Sequence, residues 1–385
     1  MKRRLLTNGC IVTPLKIIEA GTVVVEEGKI IDIVEHSYPA NQYTWDVGGH
    51  LILPGIINLH DDGYEKAVQP RPGTYLPAAL AFHHMERAQA ASGITTIYHA
   101  VEFGEGLLQS NRTIAQAEEM TWDLLAFAQT DFAQIHHRIL YRCEMRTVGS
   151  LDSIIKIINS PQAPAGPYYL SLNDHAPGQG QYAWRQAAQS HWDFKAQTEH
   201  LRSGQLEQAT ELLKSRSDII IAGHDSDSIA AVDDLYERGM QVCEFPVSRE
   251  AAQHAKKLNL PVIVGAPNIV RGGSHTKNVS ALELVADHLA DVLVADYAPS
   301  TLLHAVFMLV EQQVLTLVEA VKLVTLNAAR VVGLEKQTGS IAPGLAADLI
   351  VVETRANPPL SIVQLILANG NINHRQPLEL LLPAT

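Results

Sequence analysis

Histidine and carboxylate side chains follow at least seven apolar runs of this sequence, and these residue types bind divalent metals and transfer protons. They are His60, Asp62, His99, Glu102, Glu144, Asp174, His175, His224, Asp225, Glu244 and Asp296. Carboxylates gathered in one cleft repel one another and lose hydration, so some protonate unless cations neutralise them. Imidazole nitrogen combined with carboxylate oxygen suits Zn²⁺, Mn²⁺ or Fe²⁺. A pair of divalent metals is therefore the simplest interpretation of the set.

Each of these residues also has a structural interpretation when it is taken alone. A single histidine in LNDH or AGHD is more often a hydrogen-bonded loop residue than a metal ligand, and Asp296 in VLVADY could cap the following helix. Glu144 in YRCE and Glu244 in VCEF could each be a buried ion-pair partner, and Glu144 is the preferred ligand of the two. Their shared position at the ends of apolar runs is what favours metal binding.

The middle of the chain alternates eight apolar runs with helix-like segments. The runs are GIINLH, GITTIYHAVE, RILYRCE, YYLSLNDH, DIIIAGHD, QVCEFP, PVIVGAP and DVLVADY. Segments between them, such as PAALAFHHMERAQAAS, repeat apolar residues at the three- and four-residue spacing of helices. This alternation predicts an α/β fold, a parallel (β/α)8 TIM-like barrel, in which the C-terminal strand ends carry the active site. A doubly wound sheet is the alternative, although no glycine-rich dinucleotide fingerprint follows the first run.

The two ends of the chain have a different pattern. Short alternating runs separated by glycine turns occur in GTVVVEEGKIIDIVE, and similar runs return in GLAADLIVVE and SIVQLILANGNI. They predict a small antiparallel β-domain built from both chain ends. The expected boundaries are residues 1–52 and 337–385 for this domain and residues 53–336 for the barrel.

Composition excludes several classes of partner. The net charge of −12 offers no basic surface for nonspecific nucleic-acid binding. We find no apolar stretch of membrane-spanning length, and the segment MKRRLLTNGCIVTP lacks the long apolar core and small-residue cleavage site of a leader. We therefore expect no membrane partner and a cytoplasmic location. The three cysteines, Cys10, Cys143 and Cys243, are far apart, as expected for reduced thiols.

Longer motifs resemble a known family. LPGIINLH followed by an aspartate, and NAARVVGLEKQTGSIAPGLAADLIVV near the C-terminus, are similar to the amidohydrolase superfamily of metal-dependent hydrolases. LHDDGYEKAVQPRPG, SLNDHAPGQGQ, GHDSDS, GAPNIVRGGSH and ADYAPS more narrowly resemble its branch that acts on α-D-ribose 1-methylphosphonate 5-triphosphate in the carbon–phosphorus lyase pathway. The resemblance covers nearly the whole chain. Its His-x-Asp form, with His60 and Asp62, replaces the usual His-x-His of the superfamily and is similar to this branch, although Gly63 stands where the branch often has asparagine.

The resemblance implies cleavage of a ribose 5-triphosphate into the 5-phosphate and pyrophosphate. It implies two divalent metal ions, with zinc expected before manganese or iron. The implied ligands are His60, Asp62, Glu144, His175, His224 and Asp296. Asp296 is also the implied catalytic residue, which orients the attacking water and takes its proton.

A triphosphate also requires cationic side chains near the metals. Arg71, Arg271, His275 and Lys277 each lie just beyond a predicted strand end and are the expected substrate-binding residues. Arginine presents a planar fork to phosphate oxygens, which favours it in this role.

Two other functions remain open at this point. One is hydrolysis of carbon–nitrogen bonds by a deacylase or cyclic amidase of the same superfamily, which needs the metals but no triphosphate site. The other is a noncatalytic relative, which the retained ligand set argues against. The sequence also leaves open whether the protein is a homo-oligomer, and the insert at 179–217 could cover the barrel mouth or a subunit interface.

Overall fold

A computed structural model of the chain describes residues 3–39, 43–71, 73–104, 113–176, 180, 189–273, 278–356 and 359–375. Eight parallel strands, each pairing with the next along the chain, form one sheet. They are β6 (Ile56–Asp61), β7 (Ile94–Phe103), β8 (His136–Glu144), β9 (Tyr168–Asn173), β10 (Ile219–His224), β11 (Val242–Glu244), β12 (Val262–Gly265) and β13 (Val292–Val294). All eight predicted barrel strands are therefore confirmed.

Contacts between the first and last strands of this sheet close the barrel. Asp296 N donates to His60 O at 3.0 Å, and Asp62 N donates to Asp296 O at 2.9 Å. The Asn58 side chain extends the closure, because its Oδ1 accepts from Ala295 N at 2.9 Å. The closure therefore places the C-terminal ends of β6 and β13, and the acids that follow them, side by side on one rim.

The helices lie between successive strands or after the last one. They are α1 (Gly63–Val68), α2 (Ala78–Ala91), α3 (Ile114–Ala128), α4 (Ser150–Ile158), α5 (Gln189–Ser215), α6 (Ile229–Glu237), α7 (Arg249–Lys257), α8 (Ala266–Val270), α9 (Ala281–Ala286), α10 (Thr301–Glu311), α11 (Leu317–Lys322) and α12 (Leu326–Val331). Ser228, Ser248 and Ser280 accept from backbone N–H groups at the starts of α6, α7 and α9, which fixes where these helices begin. Among the described residues, no helix combines the length and apolar character needed to cross a membrane.

Side chains alternate between the barrel interior and the layer under the helices, as the pleat of a strand requires. Tyr98, Leu140 and Tyr169 belong to the interior core, whereas Val101 and Tyr141 pack in the outer layer. The interior below the rim is thus filled with apolar and aromatic side chains. At the C-terminal strand ends, polar groups of the inward face come together.

The second sheet combines strands from both ends of the chain. Its strands are β1 (Arg4–Val12), β2 (Ile17–Glu26), β3 (Lys29–Val34), β4 (Thr44–Asp46), β5 (Leu51–Pro54), β14 (Leu349–Ala356), β15 (Pro359–Ala368) and β16 (Asn371–Arg375). The central pairing joins β5 from the N-terminal part to β14 from the C-terminal part, antiparallel. The predicted (β/α)8 barrel with a composite β-domain is confirmed.

A buried aspartate joins the small sheet to the barrel. Asp348 Oδ2 accepts from Thr338 Oγ1 at 2.7 Å, and its Oδ1 accepts from Asn369 N at 2.8 Å and lies 3.4 Å from His136 Nε2 at the start of β8. Burial alone would raise the pKa of this carboxyl, but the hydrogen bonds and the charge of His136 hold it below the ordinary 3.8. The contacts between the small sheet and the barrel therefore favour the ionised form of Asp348.

Candidate active site

The predicted ligands meet at the C-terminal rim of the barrel. Four overlapping groups of three side chains each have ligand atoms within 4.8 Å of one another. The groups are His60, Asp62 and Asp296; His60, His224 and Glu244; His175, His224 and Asp225; and Glu102, Glu144 and His175. All six predicted ligands belong to this cluster, together with Glu102, Asp225 and Glu244. Each group could hold a metal ion.

One half of the cluster is organised around His60. Its Nδ1 lies 3.0 Å from Glu244 Oε1, and its Nε2 lies 3.3 Å from Asp62 Oδ1. The pairing of β6 with β7 is irregular between Asn58 and Asp61. The Asp61 carboxylate, between His60 and Asp62 in sequence, does not join them: it accepts from Gln89 Nε2 of α2 at 2.9 Å. His60 and Asp62 thus share the centre, whereas Asp61 anchors the strand end to a helix.

The other half is organised around His175. Its Nδ1 lies 2.9 Å from Glu144 Oε2, and both side chains are buried. His224 stands between the halves, since its ring centroid is 5.9 Å from that of His60 and 5.8 Å from that of His175. Its Nδ1 lies 3.3 Å from Asp225 Oδ2. The three imidazoles therefore line one continuous centre.

The electrostatics of the centre are those of excess negative charge. Burial disfavours protonation of His60, yet Glu244 and Asp62 raise its pKa to about 10. Burial opposes ionisation of Glu244, but the charge of His60 and its hydrogen bond lower that pKa to about 2. Burial and then the charge of Asp62 raise the pKa of Asp296 to about 6. A positive charge in the centre is favourable to all the carboxylates at once.

The donor set also fits a divalent cation chemically. Glu144 is fully buried, and its Oε1 has no hydrogen-bond partner among the residues that the structure describes. Leaving a buried carboxylate oxygen without a partner is costly, and coordination of a cation removes that cost. Imidazole and carboxylate ligands of this kind suit zinc, manganese and iron.

Three residues that follow barrel strands have left-handed backbone. Asp225, Phe245 and Asp296 have φ of 55°, 51° and 55°. Such values are uncommon outside glycine, and for a bulky residue like phenylalanine they are a genuine outlier that functional sites tend to store. The Phe245 ring packs edge-on to His60 at 5.1 Å between centroids and lies 5.4 Å from His224. Phe245 thus confines both imidazoles.

Two of the eleven strand-end residues, neither of them a predicted ligand, lie outside the centre. His99 points to the outer layer, where its Nε2 lies 2.9 Å from His137 Nδ1, because Tyr98 and Ala100 take the inward positions of β7. Asp174 does not join the metal groups; its Oδ1 accepts from Arg146 Nε at 2.6 Å. Placing every polar strand end at the centre was wrong for these two, because alternation and a nearby arginine decide their direction.

Sequence reasoning missed one cation that belongs to the centre. The Arg142 side chain is buried, with its Nη1 3.2 Å from Asp62 Oδ1 and 3.9 Å from Glu102 Oε2. It precedes Glu144 by two residues on β8, so the alternation of a strand puts both on the inward face. That spacing in RILYRCE was the available signal. The structure thus adds a guanidinium to a cluster of carboxylates.

The predicted substrate cations are only partly described. Arg271 is exposed, and its Nη1 donates to Tyr297 Oη at 3.4 Å, next to Asp296 in sequence. Arg71 is exposed in the turn after α1, where it bridges to Thr74. His275 and Lys277 lie outside the described residues. The rim near Asp296 therefore carries at least one accessible guanidinium.

The insert between β9 and β10 contains α5, which is joined to the loop that carries His175. Arg146, which follows β8, donates to Asp174 and also to two acceptors on α5. These are Lys195 O at 3.0 Å and Glu199 Oε2 at 3.1 Å. Arg202 of α5 also pairs with Asp174 at 3.2 Å. Since Asp174 precedes His175, α5 supports the position of that ligand.

Comparisons with known proteins agree with this architecture. The amidohydrolase family profile matches residues 282–374. The chain is 33% identical, over 356 residues, to the α-D-ribose 1-methylphosphonate 5-triphosphate diphosphatase of Escherichia coli (strain K12), covering 88% of this chain and 92% of that protein.

Solved structures resemble the chain over almost its whole length. A dihydropyrimidinase from Brevibacillus agri NCHU1002 is 14% identical with a TM-score of 0.66, and the match covers 97% of this chain and 95% of the other. A prolidase complexed with N-methylphosphonate-L-proline is 16% identical with a TM-score of 0.63, covering 97% and 100%. At these identities the likeness shows the fold alone.

Proposed function

Since the chain belongs to the amidohydrolase superfamily, we propose that it is a metal-dependent hydrolase of α-D-ribose 1-methylphosphonate 5-triphosphate. The products are the 5-phosphate and pyrophosphate, and the reaction belongs to phosphonate catabolism. The observation that carries the proposal is the 33% identity, over 88% of the chain, to a protein named for this activity. The buried cluster of imidazoles and carboxylates supports it, because the cluster could hold divalent cations, and phosphoanhydride hydrolysis needs concentrated positive charge where the leaving group departs.

Two divalent cations, zinc before manganese or iron, would be held by His60, Asp62, Glu144, His175, His224 and Asp296. When bound, such ions lower the pKa of water so that hydroxide is available near neutral pH. The overlap of the ligand groups through His224 supports two neighbouring positions rather than one.

Residues of the chain then have distinct tasks. Glu244 accepts a hydrogen bond from Nδ1–H of His60, which fixes the ring tautomer and leaves Nε2 as the ligand atom beside Asp62. Asp296 orients the attacking water and takes its proton, and the left-handed backbone at this residue holds the carboxylate at the rim. Attack on the α-phosphorus breaks the bond to the β-phosphate, and pyrophosphate leaves.

Cations at the rim bind the triphosphate. Arg271, tied to Tyr297 beside Asp296, is placed to contact phosphate oxygens with its guanidinium fork. Arg71, His275 and Lys277 are the other proposed contacts. Their combined positive charge offsets an otherwise acidic chain at the position where the substrate is most negative.

The proposal is tested by incubating the metal-loaded protein with a ribose 5-triphosphate and recording phosphorus NMR spectra. Pyrophosphate and the 5-phosphate are the expected products, and release of orthophosphate alone would contradict attack at the α-phosphorus. Removing the metal with a chelator should abolish turnover, and adding Zn²⁺ or Mn²⁺ should restore it.

A parallel assay addresses the carbon–nitrogen alternative. N-acyl amino acids and a cyclic amide are offered to the same metal-loaded preparation. Turnover of these compounds, with none of the triphosphate, would replace the diphosphatase with a deacylase or cyclic amidase.

A further inference from the structure

Six polar side chains form a closed ring that includes part of the candidate metal centre; five lie on four barrel strands, and Asp62 directly follows β6. In one direction the ring runs from Arg142 to Asp62, His60 and Glu244. Arg142 Nη1 donates to Asp62 Oδ1 at 3.2 Å, Asp62 Oδ1 lies 3.3 Å from His60 Nε2, and His60 Nδ1 lies 3.0 Å from Glu244 Oε1. This half of the ring contains two proposed ligands, His60 and Asp62.

The other direction returns from Glu244 to Arg142 through Ser171 and Asn173. Ser171 Oγ donates to Glu244 Oε2 at 2.7 Å. With the Asn173 amide oxygen facing the guanidinium, both ends of the amide have partners. Its oxygen accepts from Arg142 Nε at 2.9 Å and Nη2 at 3.2 Å, and its nitrogen donates to Ser171 Oγ at 3.0 Å. The guanidinium is therefore the group that closes the ring.

Five of the six ring members are buried, and the Asp62 side chain, which is 31% exposed, is the one that reaches solvent. Glu244, Ser171 and Asn173 are fully buried, His60 is 1% exposed and Arg142 is 7% exposed. Buried hydrogen bonds in a low-dielectric interior are strong and are costly to leave unmade, so a complete ring specifies one arrangement of its members. Arg142 also lies 3.9 Å from Glu102 of the His175 half, so it reaches carboxylates of both halves.

We infer that Arg142 is a positioning residue of the metal centre. Its Nη1 fixes the Asp62 carboxylate, while its Nε and Nη2 fix Asn173 and, through Ser171, the Glu244 carboxylate that orients His60. A guanidinium makes these contacts with one planar fork and carries a permanent positive charge among the carboxylates. Lysine at this position keeps the charge but lacks the geometry to hold Asp62 and Asn173 together.

The inference rests on the proposed metal centre and is tested by metal affinity rather than by activity. Metal-free protein is titrated with Zn²⁺ against a chromophoric chelator, for the wild type and for Arg142→Met, Arg142→Lys and Asn173→Ala. Arg138→Met is the matched control, because Arg138 lies on the same face of β8 about 13 Å toward the opposite end of the barrel. Thermal melting followed by circular dichroism shows which variants are folded.

We expect the wild type to bind two zinc ions and Arg142→Met to lose about 10- to 100-fold in affinity at one of them, the range found for outer partners of metal ligands. Arg142→Lys should recover part of the loss, Asn173→Ala should reproduce part of it, and Arg138→Met should stay within about twofold of the wild type. If Arg142→Met does not fold, the lysine and alanine variants carry the test.

Unchanged zinc affinity in the folded Arg142 and Asn173 variants would overturn the positioning role. An equal loss in Arg138→Met would overturn it as well, since an arginine of β8 far from the centre would then have the same effect. A wild-type protein that binds no zinc at all would instead overturn the proposed metal centre, so the two failures are distinguishable.

Discussion

His60 Nδ1 lies 3.0 Å from Glu244 Oε1, although the two residues are 184 positions apart in the sequence. His60 is at the end of the first barrel strand and Glu244 at the end of the sixth, and both side chains are buried. A carboxylate at Nδ1 directs the Nε2 lone pair of an imidazole toward a metal. The pair therefore prepares His60 to be a ligand.

Glu244→Ala should weaken zinc binding by about 10- to 100-fold, because His60 loses the partner that fixes its tautomer. Glu244→Gln should lose less zinc affinity, since the amide oxygen can still accept from Nδ1–H of His60. Zinc titration of the metal-free proteins measures both, with the exposed Glu237→Gln of α6 as the control. Equal affinities for the alanine variant and the wild type would remove Glu244 from the centre.

Asp296→Asn should lower turnover of the triphosphate by about 10²- to 10⁴-fold, the usual contribution of a general base. Metal content should stay nearly intact, because the amide oxygen remains and the other ligands are unchanged. Turnover and metal analysis are measured on one preparation, with the exposed Asp287→Asn as the control. Undiminished turnover would exclude Asp296 as the base.

Arg271→Ala should raise KM for the triphosphate by about 10- to 100-fold, which corresponds to one or two charge-assisted hydrogen bonds to phosphate. Steady-state kinetics with a ribose triphosphate measures the change. Arg87→Ala, on the exposed face of α2, is the matched control and should leave KM unaltered. If both variants behave alike, Arg271 does not contact the substrate.

Gly223→Ala should destabilise the protein by about 1–3 kcal/mol, the usual cost of overpacking. A Cβ on Gly223, next to His224 on β10, would collide with the Leu235 side chain of α6. Leu235→Ala in the same chain should relieve the collision, so a double-mutant cycle of urea unfolding should show coupling between the two positions. Gly204→Ala is the control, because a Cβ there has nothing within 4 Å. Additive effects at Gly223 and Leu235 would contradict this packing.

Asp348→Asn should lower the free energy of unfolding by about 1–3 kcal/mol near neutral pH, because the amide puts a donor where Thr338, Asn369 and His136 require an acceptor. The folded-state pKa of Asp348 lies below 3.8, so its ionised form stabilises the fold above about pH 4 and this contribution is lost as pH falls through the folded-state pKa. Urea unfolding of the metal-free wild type and variant between pH 6 and pH 3 should show the difference shrinking. The exposed Asp131→Asn is the control, and a pH-independent difference would refute the ionic contribution.

Local sequence pattern was sufficient for the barrel and for much of the centre. Strand-end position gave eleven candidates, and the family resemblance selected six of them as ligands. The structure brings all six into one cluster: His60, Asp62, Glu144, His175, His224 and Asp296. The same rule failed for His99, because a strand-end residue faces the centre only if its pleat position is inward. It also failed for Asp174, whose direction depends on Arg146 and on α5, far along the chain.

The sequence by itself determined the order of strands and helices, the joining of both chain ends in one small sheet, and which residue types gather at the rim. These follow from short-range periodicity, which is written in neighbouring residues. Tertiary structure alone decided that Glu244 meets His60, that Arg142 closes a ring through Asn173 and Ser171, and that Phe245 confines two imidazoles. Those contacts depend on how a closed barrel rotates each strand against strands distant in sequence, and short-range periodicity does not encode that rotation.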